Sequence, residues 1–187
     1  MPDAEAAASA PPRAPETPEG LLARLAALGI EATTVRHAPV FTVAESQALR
    51  GELPGAHTKN LFLAPAKGEG PFLLATLEES RKLSVNALVR AVGARRMSMG
   101  SAAQLMATLG VPPGSVTPFG LVNARPGTVR FVIDRALVEG PERIWVHPLS
   151  NDASTGLHPA DLLRFLRYLG HVPEILDLDD HGVASPA

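Results

Sequence analysis

Two short apolar segments joined by a turn limit what this chain can fold into. The segments are KNLFLAP and PFLLATL, residues 59–65 and 71–77, and the linker AKGEG between them is typical of a turn. So short a link joins antiparallel strands, because a parallel pair needs a crossover of about a dozen residues or more. Short links outnumber crossovers along the chain. We therefore predict an α/β fold of the α+β type, with a mixed, mainly antiparallel twisted sheet flanked by helices.

Helix and strand signals alternate around this hairpin. Thr17 caps the run TPEGLLARLAALGI, while Thr42 and Ser101 each begin a capping box with a Glu or Gln three residues later. Further helices are predicted over residues 83–92 and in HPADLLRFLRYLG, which carries an apolar stripe and ends at Gly170. The remaining strands are predicted in EATTVRHA, RRMSMG, GTVRFVIDRAL, ERIWVHPL and EILDLD.

The composition is that of a soluble globular protein. Of the 187 residues, 45% are hydrophobic and 19% charged, and none is cysteine. Residues 1–16 are rich in Ala and Pro and are predicted to be a disordered tail, followed by one folded domain over 17–180 and a flexible end at 181–187. No apolar run is long enough for a membrane span and no secretory signal is evident, so we expect a cytoplasmic protein.

The charge is unevenly distributed, although the net charge is only −2. The segment from Arg81 to Ile133 contains seven basic residues and no Asp or Glu, whereas the rest of the chain carries 10 basic and 19 acidic residues. Such segregation either builds one positive face for a polyanion or scatters arginines over a solvated surface. Charge alone leaves both alternatives open.

Common catalytic motifs are missing from the sequence. The six histidines lack close metal-binding spacing, and no nucleophile elbow or phosphate-binding P-loop occurs. We therefore predict neither a metal nor a cofactor.

Two local patterns are candidates for chemistry. In KNLFL, strand alternation places Lys59 on the face of Leu61 and Leu63, with Asn60 and Phe62 on the other face. A partly desolvated ammonium there would be a strong fixed donor, although a strand-edge lysine that discourages sheet pairing fits the pattern too. Another candidate is GSVTP, residues 114–118, where glycine and proline bracket a rigid turn that either presents backbone groups to a ligand or simply connects two elements.

A third candidate is HPLSNDAST, residues 147–155, in which His147, Asn151 and Thr155 follow a strand and precede a helix. Loops in that position often carry polar site residues, while a lone histidine at a strand end is commonly structural.

Taken together, the three motifs resemble the prolyl-tRNA editing superfamily, which comprises YbaK-like proteins and the insertion domain of bacterial prolyl-tRNA synthetases. The order KNLFL, GSVTPFG and HPLSNDAST carries the resemblance, which extends over about residues 20 to 178. The fuller strings HAPVFTVAES and LGVPPGSVTPFGL make it most similar to the free-standing Ala-tRNA(Pro) deacylases.

The resemblance implies roles for individual residues. The essential lysine of the family falls on Lys59, and the catalytic set also includes Gly114, Ser115 and His147. The substrate-binding positions implied are Asn60, Leu61, Leu63, Val116, Thr117, Pro118, Asn151 and Thr155. From the acid-free segment we add Arg81, Lys82, Arg95 and Arg96 as candidate tRNA contacts.

The implied reaction is hydrolysis of the ester between alanine and the 3′ end of tRNA(Pro), with proline refused by the size of the pocket. The resemblance implies that the reaction uses no metal, no cofactor and no protein nucleophile. It also implies tRNA as the partner, and prolyl-tRNA synthetase is a further candidate partner. Two alternatives remain open: a deacylase for another misacylated tRNA, of the Cys or Ser type, and a non-catalytic tRNA-binding or regulatory module of the same fold.

Overall fold

A computed structural model describes residues 14–39, 53–66, 68–179 and 181–182. Within these ranges the helices are α1 (Pro18–Ala27), α2 (Val85–Ala91), α3 (Ala102–Leu109) and α4 (Pro159–Tyr168), with short 3₁₀ helices at Pro118–Val122 and Arg135–Leu137. The strands are β1 (Ala32–Arg36), β2 (Ala56–Pro65), β3 (Phe72–Glu78), β4 (Met97–Met99), β5 (Val129–Asp134), β6 (Ile144–Val146), β7 (Ala153–Leu157) and β8 (Glu174–Leu176). None of the helices in the described part is long and apolar enough to cross a bilayer.

The strands form one sheet in the order β1-β7-β6-β2-β3-β5-β8, with β4 paired to β2 on the edge opposite β3. Four pairings are antiparallel, namely β1–β7, β2–β3, β2–β4 and β6–β7. Three are parallel, namely β2–β6, β3–β5 and β5–β8. The predicted fold class and the predicted β2–β3 hairpin are therefore confirmed.

The two faces of β2 and β3 are buried in different cores. Phe62 and Leu74, which are cross-strand partners, belong to the larger core with apolar residues of α1, α3 and α4. Leu63 and Leu73 face the other way, into the smaller core under α2. Because side chains alternate along a strand, the hairpin is a wall between two separately packed layers.

The helix ends follow the local signals in the sequence. The Thr17 hydroxyl accepts the Gly20 amide, and the capping box of Ser101 and Gln104 is formed in both directions. Gly110 ends α3 in the left-handed conformation at φ 66°. The helix predicted from Thr42 lies outside the described residues.

Two local predictions need correction. The segment ASTGL, predicted as part of a loop, is strand β7, which is buried throughout and paired on both sides by β1 and β6. Glu16, predicted as the end of a disordered tail, is anchored: its amide donates to Asn123 Oδ1 at 2.7 Å and its carboxylate pairs with Arg24 at 2.7 Å. Residues 1–13 and 183–187 lie outside the described ranges, so predictions of disorder there stay predictions.

Candidate active site

The short parallel contact between β2 and β6 sets two of the predicted site residues at equivalent positions on neighbouring strands. The ladder joins Ala56 to Ile144 and His57 to Trp145 and ends there, where the Thr58 hydroxyl donates to the Trp145 carbonyl at 2.9 Å. In the same register Lys59 and His147 each follow two residues after the His57–Trp145 pair. Side chains two apart share a face, so both project on the side away from the larger core.

Lys59 is half-buried and lies opposite Leu77 on β3. The predicted alternation is confirmed, since Leu61 and Leu63 belong to the smaller core on the Lys59 face. Leu63 is fully buried there, however, so it cannot form the wall of an open pocket as predicted. Half-buried Leu61 lies nearer to Lys59 and keeps that candidate role.

Asn60 projects to the opposite face from Lys59. Its Oδ1 accepts a hydrogen bond from the Thr76 hydroxyl at 2.7 Å, on the side of the sheet that carries Phe62. That bond fixes the amide within the β2–β3 pair, so Asn60 contributes to strand positioning.

The turn at 114–118 is rigid and mostly buried. Gly114, at φ 88°, adopts a conformation that suits glycine, and it is exposed. Ser115 is buried, and its backbone amide donates to the Pro112 carbonyl at 3.1 Å, so this amide is not available to a substrate oxygen. Pro118 is buried at the start of a 3₁₀ helix, and half-buried Val116 packs against the larger core.

Thr117 ties this turn to the end of β6. Its fully buried hydroxyl donates to the His147 carbonyl at 2.6 Å and accepts the Phe119 amide at 3.3 Å. The side chain therefore serves as a bridge between two backbone segments and not as a direct contact for a ligand. The turn and the histidine are consequently held at one distance from each other.

His147 has a defined protonation pattern. Its Nδ1 lies 3.2 Å from the Ala153 carbonyl, which can only accept, so Nδ1 carries the proton and Nε2 the lone pair in the neutral ring. Burial lowers the pKa of His147 below 6.5; the bond to Ala153 opposes this shift, and the nearby His37 adds to it. The imidazole is therefore neutral at pH 7 and offers an acceptor at Nε2.

His37 is a neighbour that sequence reasoning left without a role. Its Nδ1 donates to the Ala38 carbonyl at 2.8 Å, and its Nε2 accepts from the Ser154 hydroxyl at 2.9 Å. The signal was present, because His37 opens the string HAPVFTVAES. Without a partner in the sequence, however, nothing pointed to its position beside His147.

Of the other predicted residues, Asn151 lies in the turn between β6 and β7 and Thr155 lies within β7. Leu149 has a left-handed backbone at φ 69°, which a non-glycine residue adopts only when its surroundings enforce it, and its side chain is buried in the larger core. Asn151 is half-buried in this turn. Thr155 is fully buried within β7 and its hydroxyl is 2.8 Å from that of Thr34, which assigns it to sheet packing.

The candidate tRNA contacts divide into two kinds. Arg81 pairs with Asp134, whose side chain is only 1% exposed, through two nitrogens at 3.0 Å. This pair gives Arg81 a structural role, in contrast to the predicted phosphate contact. Lys82, Arg95 and Arg96 are exposed.

Taken together, the site offers an ammonium, a neutral imidazole acceptor and a stiff backbone turn. Among the residues that the structure describes, no three His, Asp or Glu side chains are arranged to hold a metal ion. Such a set of groups suits the binding of a polar ester and the orientation of a water molecule.

Comparisons with known proteins identify the family of the chain. The family model described as "Aminoacyl-tRNA editing domain" matches residues 37–165. A prolyl-tRNA synthetase associated domain-containing protein 1 from Bos taurus is 40% identical over 159 residues, covering 83% of this chain and 92% of that protein. The prolyl-tRNA editing protein ProX of Acetoanaerobium sticklandii is 31% identical over 160 residues, covering 86% and 96%.

A fold comparison points the same way. A crystal structure provisionally described as a trans-editing enzyme for prolyl tRNA synthetase superposes with a TM-score of 0.58 at 20% identity, covering 79% of this chain and 86% of that one. The superposition shows the shared fold, and the family match spans the three motifs. The chain belongs to the aminoacyl-tRNA editing domain family.

Proposed function

We propose that this protein is a trans-editing hydrolase that removes alanine mischarged onto tRNA(Pro). The proposal is supported by the hydrogen bond that joins the 114–118 turn to His147, and by the β2–β6 register, which sets Lys59 and His147 at equivalent positions just beyond the ladder. Family membership and the named ProX relative support aminoacyl-tRNA deacylation in general. The preference for alanine, and a cytoplasmic location in which charged tRNA is met, are the finer parts of the proposal.

The reaction is an ester hydrolysis. Water adds to the carbonyl carbon, the carbonyl oxygen becomes an oxyanion, and the bond to the ribose 3′ oxygen then breaks as that oxygen takes up a proton. The Lys59 ammonium holds the terminal nucleotide or the aminoacyl carbonyl by charge-assisted hydrogen bonds. Because the Ser115 amide is used within the turn, the amides of Gly114 and Val116 are the ones that serve the oxyanion.

The water is oriented chiefly by the substrate. The terminal ribose 2′-hydroxyl lies next to the scissile ester in any aminoacyl-tRNA, so it is placed to position or activate the attacking water. His147 anchors the substrate through Nε2, whose lone pair accepts a hydrogen bond from a hydroxyl or an ammonium group. No protein nucleophile and no metal enters this scheme.

Selectivity is steric in this proposal. Proline is larger than alanine, and a stiff pocket bounded by Leu61 and the turn refuses it by overlap. A pocket discriminates poorly against smaller groups, since one methylene is worth only about 1–3 kcal/mol. Glycine and serine are therefore expected to be accepted in part.

The body of the tRNA is held by cations away from the reacting ester. Lys82, Arg95 and Arg96 are exposed in the acid-free segment and remain as contacts once Arg81 is assigned to Asp134. Phosphate contacts of this kind release counterions, so affinity for tRNA should fall steeply with salt. Prolyl-tRNA synthetase is a further candidate partner, by way of the named relatives.

The test is deacylation by purified protein of Ala-, Pro-, Cys- and Ser-charged tRNAs. We expect release of alanine from Ala-tRNA(Pro) with Pro-tRNA(Pro) spared. Lys59→Ala and Lys59→Arg should both lose activity, because a planar guanidinium does not replace a compact ammonium. Arg167→Ala, an exposed change on α4, is the matched control and should behave as wild type.

Each contrary outcome has a definite meaning. Full activity of Lys59→Ala overturns the assignment of the lysine. Faster release of cysteine or serine than of alanine indicates an editing enzyme with another substrate. Binding of tRNA without hydrolysis of any ester in the panel indicates a non-catalytic module of the same fold.

A further inference from the structure

Three polar side chains lie in a row on one face of the sheet, at the same end of the adjacent strands β1, β7 and β6. The β1–β7 ladder pairs Val35 with Ser154, and the β6–β7 ladder stops one residue short of pairing Ser154 with His147. His37 follows Val35 by two residues and therefore shares its face. Side chains directly opposite each other on antiparallel strands have Cβ atoms about 5 Å apart. His37, Ser154 and His147 thus form a polar row, on the face away from the larger core.

The hydroxyl hydrogen of Ser154 is already used inside the protein. Nδ1 of His37 lies 2.8 Å from the Ala38 carbonyl, which can only accept, so Nδ1 carries the proton. In the neutral ring Nε2 then holds the lone pair, and it accepts the Ser154 hydroxyl at 2.9 Å. The Ser154 oxygen is left with lone pairs and no hydrogen to offer. Ser154 is 8% exposed, so few water molecules can reach that oxygen.

His147 presents the same kind of group beside it. Its Nδ1 donates to the Ala153 carbonyl at 3.2 Å, so its Nε2 also carries a lone pair. The charge of His37 lowers the pKa of His147, which reflects how near the two rings are. The polar row therefore offers two acceptors, the Ser154 oxygen and His147 Nε2, each fixed by a hydrogen bond within the protein.

Two neighbouring acceptors suit a ligand group that has several hydrogens and no lone pair. A hydroxyl has one hydrogen and satisfies one acceptor, whereas an ammonium has three donors and no acceptor. A carboxylate is not needed for this purpose. The Asp152 carboxylate, two residues before Ser154, is engaged by the Ser150 hydroxyl at 2.5 Å and lies 3.7 Å from Arg36. Recognition of a cation in the polar row therefore falls to the two neutral acceptors.

We propose that the polar row binds the α-ammonium group of the aminoacyl ester and so restricts the enzyme to substrates with a free α-amine. The inference rests on the proposed function, because it assigns one group of that substrate. Ser154 and His147 contact the ammonium, while His37 is a positioning residue that acts through Ser154. An acylated nitrogen has one hydrogen and no charge, so N-blocked esters such as peptidyl-tRNA are spared.

The experiment compares three esters of the same tRNA(Pro). Alanyl-tRNA is one, and the lactyl and N-acetylalanyl esters are made from it by deamination and by acetylation. The lactyl group has the size of alanine but replaces the ammonium by a hydroxyl. Values of kcat/KM near pH 7 are divided by each ester's spontaneous hydrolysis rate. We expect the full-length protein to prefer the alanyl ester over the lactyl ester by about tenfold or more, and to refuse the N-acetyl ester.

Variants of the polar row should change this preference and not merely the rate. Ser154→Ala should slow alanyl release about tenfold and lactyl release less than twofold, while Ser154→Thr should keep the preference. His37→Leu frees the Ser154 hydrogen and should lower the preference, and His37→Gln, which supplies an amide oxygen as acceptor, should restore part of it. Thr34→Val is the matched control, because it removes a hydroxyl bond of 2.8 Å between β1 and β7 on the opposite face. It should leave the preference unchanged.

The outcomes separate this inference from the proposed function. Equal rates for alanyl and lactyl esters overturn the inference and leave deacylation intact. Equal losses for both esters in Ser154→Ala also overturn it, because the polar row would then hold the attacking water. Hydrolysis of none of the esters refutes the proposed function instead. Binding of non-hydrolysable alanyl- and lactyl-amide mimics of the tRNA 3′ end, followed by the ¹⁵N shift of His147 Nε2, then decides the inference: a preference for the alanyl mimic supports it and equal binding overturns it.

Discussion

Removing the Thr117 hydroxyl should loosen the candidate site from within. Thr117→Val keeps the shape of a fully buried side chain but deletes the 2.6 Å bond to the His147 carbonyl and the 3.3 Å bond from the Phe119 amide. Each net hydrogen bond is worth about 1 kcal/mol, and a buried group left without a partner adds about 1–3 kcal/mol. We expect a loss of about 3–5 kcal/mol in the free energy of unfolding, seen as a fall of about 6–20 °C in the thermal midpoint.

Thr117→Ser distinguishes the effect of the hydroxyl from that of the methyl group. It keeps both hydrogen bonds and gives up one buried methyl, so it should lose only about 1 kcal/mol. The assay is urea denaturation of the three proteins, followed by deacylation rates at a temperature at which all are folded. An equal loss in the free energy of unfolding for Thr117→Val and Thr117→Ser would refute the bridging role of the hydroxyl. A destabilised Thr117→Val chain with a normal deacylation rate would remove the turn from the catalytic machinery.

Three further predictions follow from buried charge, backbone strain and titration. Arg81→Ala should lower the free energy of unfolding by about 3–5 kcal/mol, measured by urea denaturation, because it leaves the Asp134 carboxylate buried without its partner. The double variant Arg81→Met with Asp134→Leu should regain most of this stability. An Arg81→Ala protein as stable as wild type would contradict the prediction. Gly114→Ala should lose about 1–2 kcal/mol and slow deacylation, because φ 88° is strained for alanine; an unaffected midpoint would show that the turn relaxes. Because the pKa of His147 is lowered in the folded protein, the imidazole of the unfolded chain is protonated first as pH falls. The contribution of His147 to the free energy of unfolding is therefore complete above pH about 6.5 and is lost progressively below it. His147→Gln should flatten that slope, and an NMR titration of the ring should give a midpoint below 6.5; a midpoint above it would contradict the effect of burial.

Elements with local causes could be predicted from the sequence. The capping box at Ser101 needs only residues three apart, and the β2–β3 hairpin needs only a short turn between two apolar runs. The alternation that separates Lys59 from Phe62 is equally local. These features appear in the structure as expected.

Elements that depend on distant partners were missed. The run ASTGL is short and built of small residues, and it becomes strand β7 because β1 and β6 pair with it from both sides. That pairing moves Thr155 from a predicted loop into the interior. The partner of Arg81 could not be predicted for the same reason, because Asp134 lies 53 residues later in the chain and no local pattern links the two.

The candidate site itself falls between these cases. Its three motifs are visible in the sequence, but their relation is set by contacts over long separations. Thr117 reaches the His147 carbonyl from 30 residues away, and Thr58 reaches Trp145 from 87 residues away. Both bonds run from a threonine hydroxyl to a backbone carbonyl, and such bonds leave no recognisable spacing in a sequence.

The register of β2 therefore decides whether the site exists. In the present register Lys59 follows His57 onto the face that His147 shares, while Phe62 fills the larger core. A shift by one residue would turn Lys59 into that core and Phe62 out of it, exchanging a half-solvated ammonium for a buried one. The apolar alternation that stabilises the hairpin thus also holds the lysine at the site, so packing and chemistry in β2 depend on the same residues.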